Sequence, residues 1–126
     1  MNMNLGVRNF FFIILIFFHS SSVISKTIEG DLAKIQILDK ITAKVNTFDI
    51  KVDTYFKFQT IEIQIYACHK KPPEEIPENF VLLKIYDSSA EEEIELIYQG
   101  WMISSSPSTT PLEHPIYDVW LQDCLI

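Results

Sequence analysis

Glycine is scarce in this sequence, with three residues in 126, and only Gly30 and Gly100 follow the N-terminal apolar run. So few glycines exclude a glycine-rich loop of the kind that cradles phosphate groups. Basic residues are also few: ten stand against 17 acidic ones, which gives a formal net charge of -7. No basic cluster exceeds Lys70-Lys71. An acidic surface repels phosphate backbones and anionic lipid head groups, so nucleic acid and membrane surfaces are disfavoured as partners.

Short motifs that mark metal and nucleophile sites are missing as well. The chain contains no CxxC, HxH, HExxH or GxSxG pattern. These spacings bring ligands or a nucleophile together on one turn or elbow, and without them a dedicated site has no local framework. We therefore predict no cofactor and no metal.

The first 25 residues have the composition of a secretory signal. Arg8 precedes an apolar run over residues 10–18, and Val23 and Ser25 supply the small residues of a cleavage site. The run is about half of the roughly 20 apolar residues that cross a bilayer. We predict a signal peptide over residues 1–25, cleaved after Ser25, and one all-β domain over residues 26–126 without stable membrane insertion. A retained N-terminal anchor is the alternative.

The two cysteines of the sequence are Cys68 and Cys124. An even number in an exported chain predicts one disulfide bond. The alternative is a reactive thiol or a metal pair with His69. Neighbouring residues on a strand point to opposite faces, so Cys68 and His69 would not readily share a metal.

Apolar and polar side chains alternate with period two along most of residues 33–124, which predicts about seven strands and no amphipathic helix. A change of apolar phase at Asn46 indicates a turn or bulge there. In residues 61–68 the alternation places Cys68 on the polar face, near a strand end. The predicted fold is a single small antiparallel β-sandwich or closed barrel with one disulfide. That bond requires the two cysteine Cα atoms to lie within about 7 Å.

Four segments resemble a known family. They are residues 38–48, residues 67–73, Gly100-Trp101-Met102 with Ser105-Ser106-Pro107, and residues 112–120 with Asp123-Cys124. Together they resemble exported bacterial proteins catalogued as domain of unknown function 2155. The resemblance covers nearly all of residues 26–126 and implies a periplasmic location in a Gram-negative cell, with no assigned activity. The chain carries His69 where the family usually has Tyr.

The unusual residues of the chain collect between Gly100 and Cys124. We predict a non-catalytic binding or structural module whose aromatic side chains line a groove beside the loop of residues 104–115. Its partner would be a protein or another cell-envelope component. Tyr117 and Trp120 are an odd number of positions apart, so one of them should be accessible. The candidate binding residues are Trp101, Glu113, His114, Tyr117, Asp118 and Trp120.

Three other interpretations of this region stay open. In a small hydrolase, His114 would act as general base, oriented by Asp118 or Glu113, with a serine of residues 104–106 as nucleophile. In a metal site, His114, Glu113 and Asp118 would be ligands. In a purely structural role, His114 and Glu113 would hydrogen-bond the backbone of their own loop, and both tryptophans would belong to the core.

Overall fold

A computed structural model describes residues 26–90 and 93–126. The predicted signal peptide lies outside the described residues. These described residues form eight strands and one short 3-10 turn. Their bounds are β1 Ile28–Glu29, β2 Leu32–Asp39, β3 Lys44–Lys51, β4 Tyr55–Phe58, β5 Ile61–Lys70, β6 Asn79–Ala90, β7 Glu93–Ile103, the 3-10 turn Pro107–Thr109, and β8 Tyr117–Leu125.

The strands form two antiparallel sheets. The five-stranded sheet has the order β1-β5-β6-β7, with β4 pairing a different part of β5, and the three-stranded sheet has the order β3-β2-β8. The predicted all-β class is therefore confirmed, whereas no closed barrel is found in the described part of the chain. Nothing helical in residues 26–90 and 93–126 is long and apolar enough to cross a membrane.

One core joins the two sheets. Its buried side chains come from alternate positions of β2, β5, β6 and β8, as expected when one face of each strand is covered. The loop between β7 and β8 adds Leu112, which is only 5% exposed. A leucine buried inside a connecting loop holds that loop against the core.

The turn between β2 and β3 corrects one prediction. Asp39 ends β2, and its Oδ1 accepts the N–H groups of Ile41 at 2.9 Å and Thr42 at 3.1 Å. Ala43 then takes a left-handed conformation, with φ of 56°. β3 pairs with β2 without a break in register, so the predicted turn or bulge at Asn46 is wrong. The change of phase arises because β3 starts afresh after this turn, which leaves Ile41 exposed at the tip.

A second correction concerns Cys68. The register between β5 and β6 shifts between Ile65 and Ala67, so Tyr66 is an extra residue in β5. Beyond such a bulge, each side chain points to the face of the sheet opposite to the one that an unbroken alternation predicts. Cys68 therefore points into the core, 2% exposed, and not to the polar face. The prediction assumes that apolar and polar side chains alternate without a break to the end of β5.

The disulfide itself is present. A bulge at Gln122 in β8 turns Cys124 inward, and Cys68 and Cys124 are bonded with their Cα atoms 5.7 Å apart. Gly30 lies against this bond: its N–H donates to the Cys68 carbonyl at 2.8 Å. A Cβ atom at position 30 would sit 2.9 Å from the Leu125 carbonyl oxygen. Only glycine fits there without moving the backbone.

β6 is longer than the sequence indicates. Residues 87–90, which begin with the polar run Asp87-Ser88-Ser89 typical of a turn, are instead the last part of β6, which continues to Ala90. Asp87 consequently lies on a strand, opposite Glu95 of β7. This position lets its carboxylate reach the loop before β8.

Candidate binding groove and the loop that borders it

The first end of the loop between β7 and β8 is held by Glu78. Its carboxylate accepts hydrogen bonds from the Ser104 hydroxyl at 2.9 Å, the Ser105 N–H at 3.1 Å and the Ser105 hydroxyl. Burial raises the pKa of Glu78, but the hydrogen bonds from Ser105 and Ser104 outweigh it, and the net pKa lies below its ordinary value. The serines therefore fasten the loop to the segment before β6.

The second end is held by His114, whose side chain is 4% exposed. Its Nδ1 accepts the backbone N–H groups of Ile116 and Tyr117, each at 3.1 Å. Its Nε2 lies 3.2 Å from Oδ2 of Asp87. The ring also stacks on Tyr117, with centroids 5.3 Å apart. One imidazole thus joins the loop, the start of β8 and the far part of β6.

These contacts settle which nitrogen carries the proton. A backbone N–H can only donate, so Nδ1 of His114 must be the acceptor and the hydrogen sits on Nε2, directed at Asp87. A general base needs a free nitrogen lone pair. The lone pair of His114 is already occupied by two backbone donors, so this geometry favours a structural tie.

Asp87 and Lys40 also hold the second end of the loop. Burial raises the pKa of the Asp87 carboxyl, but hydrogen bonds from Ser89 and His114 outweigh it and bring the net pKa below its ordinary value. The Nζ of Lys40 donates to the His114 carbonyl at 2.6 Å and pairs with Asp118 at 2.9 Å. The β2–β3 turn is therefore fastened to the same loop.

The serines and the histidine stand far apart. Ser104 is bonded to Asn79 at the first residue of β6, whereas His114 is bonded to Asp87, eight positions further along this strand. At a rise of about 3.3 Å per residue, the two sites are separated by about 25 Å. The structure does not bring together the serine and histidine that a hydrolase would need.

Between its two ends the loop borders a groove of about 370 Å³. Most of its lining is apolar, and Asp118 supplies a charge at one side. Trp120 lies half-buried on the outer face of β8, where its Nε1 donates to Oε1 of Gln36 at 2.8 Å. This bond holds the indole in place. The lining residues are Pro107, Pro111, Leu112, Asp118, Val119 and Trp120.

The two tryptophans are not part of one site. Trp101 lies on β7 of the other sheet, 45% exposed, with its ring 5.8 Å from that of His69. Neither tryptophan is buried, so the interpretation that places both in the core is wrong. Tyr117 is 6% exposed and packs on Phe58. Trp120 is thus the more accessible of the Tyr117 and Trp120 pair.

The acidic candidates differ in their surroundings. Asp118 is bound to Lys40 and lines the groove, whereas Glu113 is exposed and is not part of the groove lining. Within the described residues, no group of three His, Cys, Asp or Glu side chains is arranged to hold a metal ion. The structure brings His114, Tyr117, Asp118 and Trp120 to the region of β8, and it places Trp101 elsewhere.

Sequence reasoning missed several residues that build this region. Lys40, Glu78 and Asp87 reach the loop only through the fold, and nothing in their local sequence marks them. Leu112 did carry a signal, since a lone leucine in a polar, proline-containing loop indicates an anchor into the core. Pro107, in the 3-10 turn, and Pro111, after it, stand out in the sequence. The sequence does not show that they lie beside β8.

The fold and this region define a class: a small all-β protein of two antiparallel sheets joined by a disulfide, with a groove between a tied loop and an edge strand. The chain belongs to the family described as "Uncharacterized protein conserved in bacteria (DUF2155)", which matches residues 33–124. The resemblance inferred from the sequence is thereby confirmed.

A curated relative is "Uncharacterized protein RP359" of Rickettsia prowazekii (strain Madrid E). It is 36% identical over 91 residues, which make up 72% of this chain and 59% of the relative. The chain therefore spans about 59% of the length of the curated relative it matches. No solved structure matches the chain.

Proposed function

We propose that this protein is an exported, periplasmic and non-catalytic module that binds a protein or another cell-envelope component in the groove beside Trp120. The observation that carries the proposal is the groove itself, an apolar concavity with a fixed aromatic side chain and a charged side. Binding sites of this kind combine apolar lining with a few oriented polar groups. An indole already held by Gln36 loses little freedom on binding.

The arrangement of the polar residues supports binding over chemistry. His114 is engaged on both nitrogens, and the loop serines are bonded to Glu78. What these residues do is hold the loop at both ends, and the loop forms one wall of the groove. The polar residues that make the C-terminal region look like an active site thus shape a surface for a partner.

Site-specific crosslinking in cells tests the binding role. A photoreactive side chain at Pro111, on the exposed rim, should give a discrete adduct, whereas one at Ile76, 85% exposed in the loop between β5 and β6 and not part of the groove lining, should not. Trp120→Ala should reduce the Pro111 adduct by roughly thirty-fold, as expected for an aromatic anchor worth about 2 kcal/mol. Trp101→Ala is the matched control and should leave it unchanged.

The outcome that contradicts this proposal is equally definite. Equal adducts from Pro111 and Ile76, or a Pro111 adduct that survives Trp120→Ala, would show that the groove is not the binding surface. Circular dichroism and the mass of the oxidised protein establish that each variant is folded.

Export is tested separately. The mature protein recovered from a periplasmic fraction should begin at Lys26. A chain that retains Met1 would contradict cleavage after Ser25, and a chain found only in the cytoplasmic fraction would contradict the periplasmic assignment.

A further inference from the structure

β8 is an edge strand, and the groove runs along its open side. In the three-stranded sheet, β8 pairs with β2 alone among the described residues. The groove meets β8 at three consecutive residues, Asp118, Val119 and Trp120. An edge strand offers unpaired backbone groups to which another strand can add.

The hydrogen bonds show how backbone groups are directed across this sheet. In an antiparallel sheet, successive residues of a middle strand turn their N–H and C=O groups alternately to its two neighbours. Directly after β2, the Lys40 N–H donates to the Ile116 carbonyl on the β8 side at 2.8 Å. Odd-numbered residues of β2 therefore face β3, and even-numbered residues face β8.

The register carries this alternation into β8. Trp120 pairs with Gln36, and Val119 pairs with Ile37. Because Gln36 is even-numbered, the backbone of Trp120 bonds to β2, and the N–H and C=O of Val119 point away from β2. Val119 as a whole residue is 5% exposed, and its side chain belongs to the core. Because its N–H and C=O point away from β2, Val119 meets the groove along this backbone edge.

We propose that the groove is a strand-acceptor site, where an extended peptide adds beside β8 and exchanges two hydrogen bonds with the N–H and C=O of Val119. This inference rests on the proposed function and names the kind of partner. Side chains of paired residues share one face of a sheet. The peptide residue opposite Val119 therefore points to the core side, where Leu112 lies, and an apolar side chain fits there.

The flanking peptide residues lie on the outer face, beside Asp118 and Trp120. Asp118 is 42% exposed, and its carboxylate has acceptor capacity beyond its bond to Lys40. The exposed Glu113 makes no salt bridge within the described residues, and the chain carries a net charge of -7. A lysine or arginine would pair with Asp118 and place its cation over the indole. The partner is accordingly an extended segment that alternates apolar and basic residues.

Three capped peptides test this inference on the oxidised mature protein. The first alternates valine and lysine, the second alternates valine and glutamate, and the third is the first with every valine N-methylated. The readouts are the hydrogen-exchange rate of the Val119 amide and the emission of Trp120 in a Trp101→Phe background. We expect the first peptide to slow exchange at Val119 at least tenfold, the second to bind at least tenfold more weakly, and the third to give no protection.

The other outcomes overturn the inference in distinguishable ways. A change in Trp120 emission without protection of Val119 means that the groove is occupied but not by a strand, so the proposed function survives and this inference fails. No change in either readout at millimolar peptide also overturns it, and the crosslinking from Pro111 then decides the proposed function independently. Protection of Val119 that rises with protein concentration, without peptide, makes a second copy of this chain the occupant.

Discussion

The two ends of β6 hold the same loop by different means. At the cystine end, formed by Gly30, Cys68, Asn79, Ser104 and Cys124, a covalent bond joins the sheets and Glu78 accepts the loop serines. At the histidine end, formed by Lys40, Asp87, His114, Tyr117 and Asp118, one imidazole and one ammonium group do the joining. At both ends, therefore, polar residues secure the loop, and the apolar middle of the loop forms the groove.

The largest effect is expected at the cystine end. Replacing Cys68 and Cys124 together with alanine removes a crosslink between residues 56 positions apart. In the chain-entropy account, a loop of this length contributes about 4 kcal/mol to the free energy of unfolding. Chemical denaturation of the oxidised protein and the double variant measures this difference. A loss below about 1 kcal/mol would mean that the covalent bond is not what secures this end.

The next effect is expected at the histidine end. His114→Ala leaves the N–H groups of Ile116 and Tyr117 without their partner and removes one hydrogen bond from the Asp87 carboxylate, which costs about 2–3 kcal/mol. The adjacent Glu113→Ala is the matched control and should change stability by less than about 0.5 kcal/mol. Equal effects of the two variants would contradict the role of His114 as a tie.

Gly30→Ala tests whether the two ends are independent. The added methyl group would meet the Leu125 carbonyl oxygen at 2.9 Å and Cβ of Cys124 at 3.2 Å, and such overpacking costs about 2 kcal/mol. Its cost should shrink when Cys68 and Cys124 are replaced, since the strands can then move apart. It should add to that of His114→Ala, because distant sites without shared partners behave additively. Non-additivity with His114 would show that the two ends act as one unit.

The smallest effect is expected at Glu78, and it appears in the pH dependence of stability. The pKa of Glu78 is lower in the folded protein than its ordinary value of 4.5, so its stabilising contribution is complete above pH 4.5 and is lost as pH falls through the folded pKa. Glu78→Gln should lower stability at pH 7 by about 1 kcal/mol and flatten the acid dependence. Glu74→Gln, in the same segment but exposed, is the control. Parallel acid profiles for Glu78→Gln and the parent would refute this assignment.

Much of the fold could be predicted because period-two alternation reports directly on which face of a strand is buried. The pairing of Cys68 with Cys124 followed from their number. The bulges at Tyr66 and Gln122 could not be foreseen, because an extra residue in a strand depends on how its partner strand is paired. For the same reason Cys68 was expected on the wrong face.

The candidate site was less predictable, because its residues meet only across the fold. That His114 bonds the backbone of its own loop was one of the open interpretations, since the two N–H groups lie within three residues of it. Its bond to Asp87 depends on β6 continuing through the polar residues 87–89 to Ala90. Trp101 and Trp120 are separated because β7 and β8 belong to different sheets, and sequence proximity does not reveal that assignment.

The role of His114 as a structural tie is tested most directly by nitrogen NMR of its imidazole in the folded protein at neutral pH, which shows which ring nitrogen carries the hydrogen. A structural tie predicts hydrogen on Nε2 and an unprotonated Nδ1 that accepts the N–H groups of Ile116 and Tyr117. Hydrogen on Nδ1, with a free lone pair on Nε2, would contradict the account and return His114 to the position of a candidate general base.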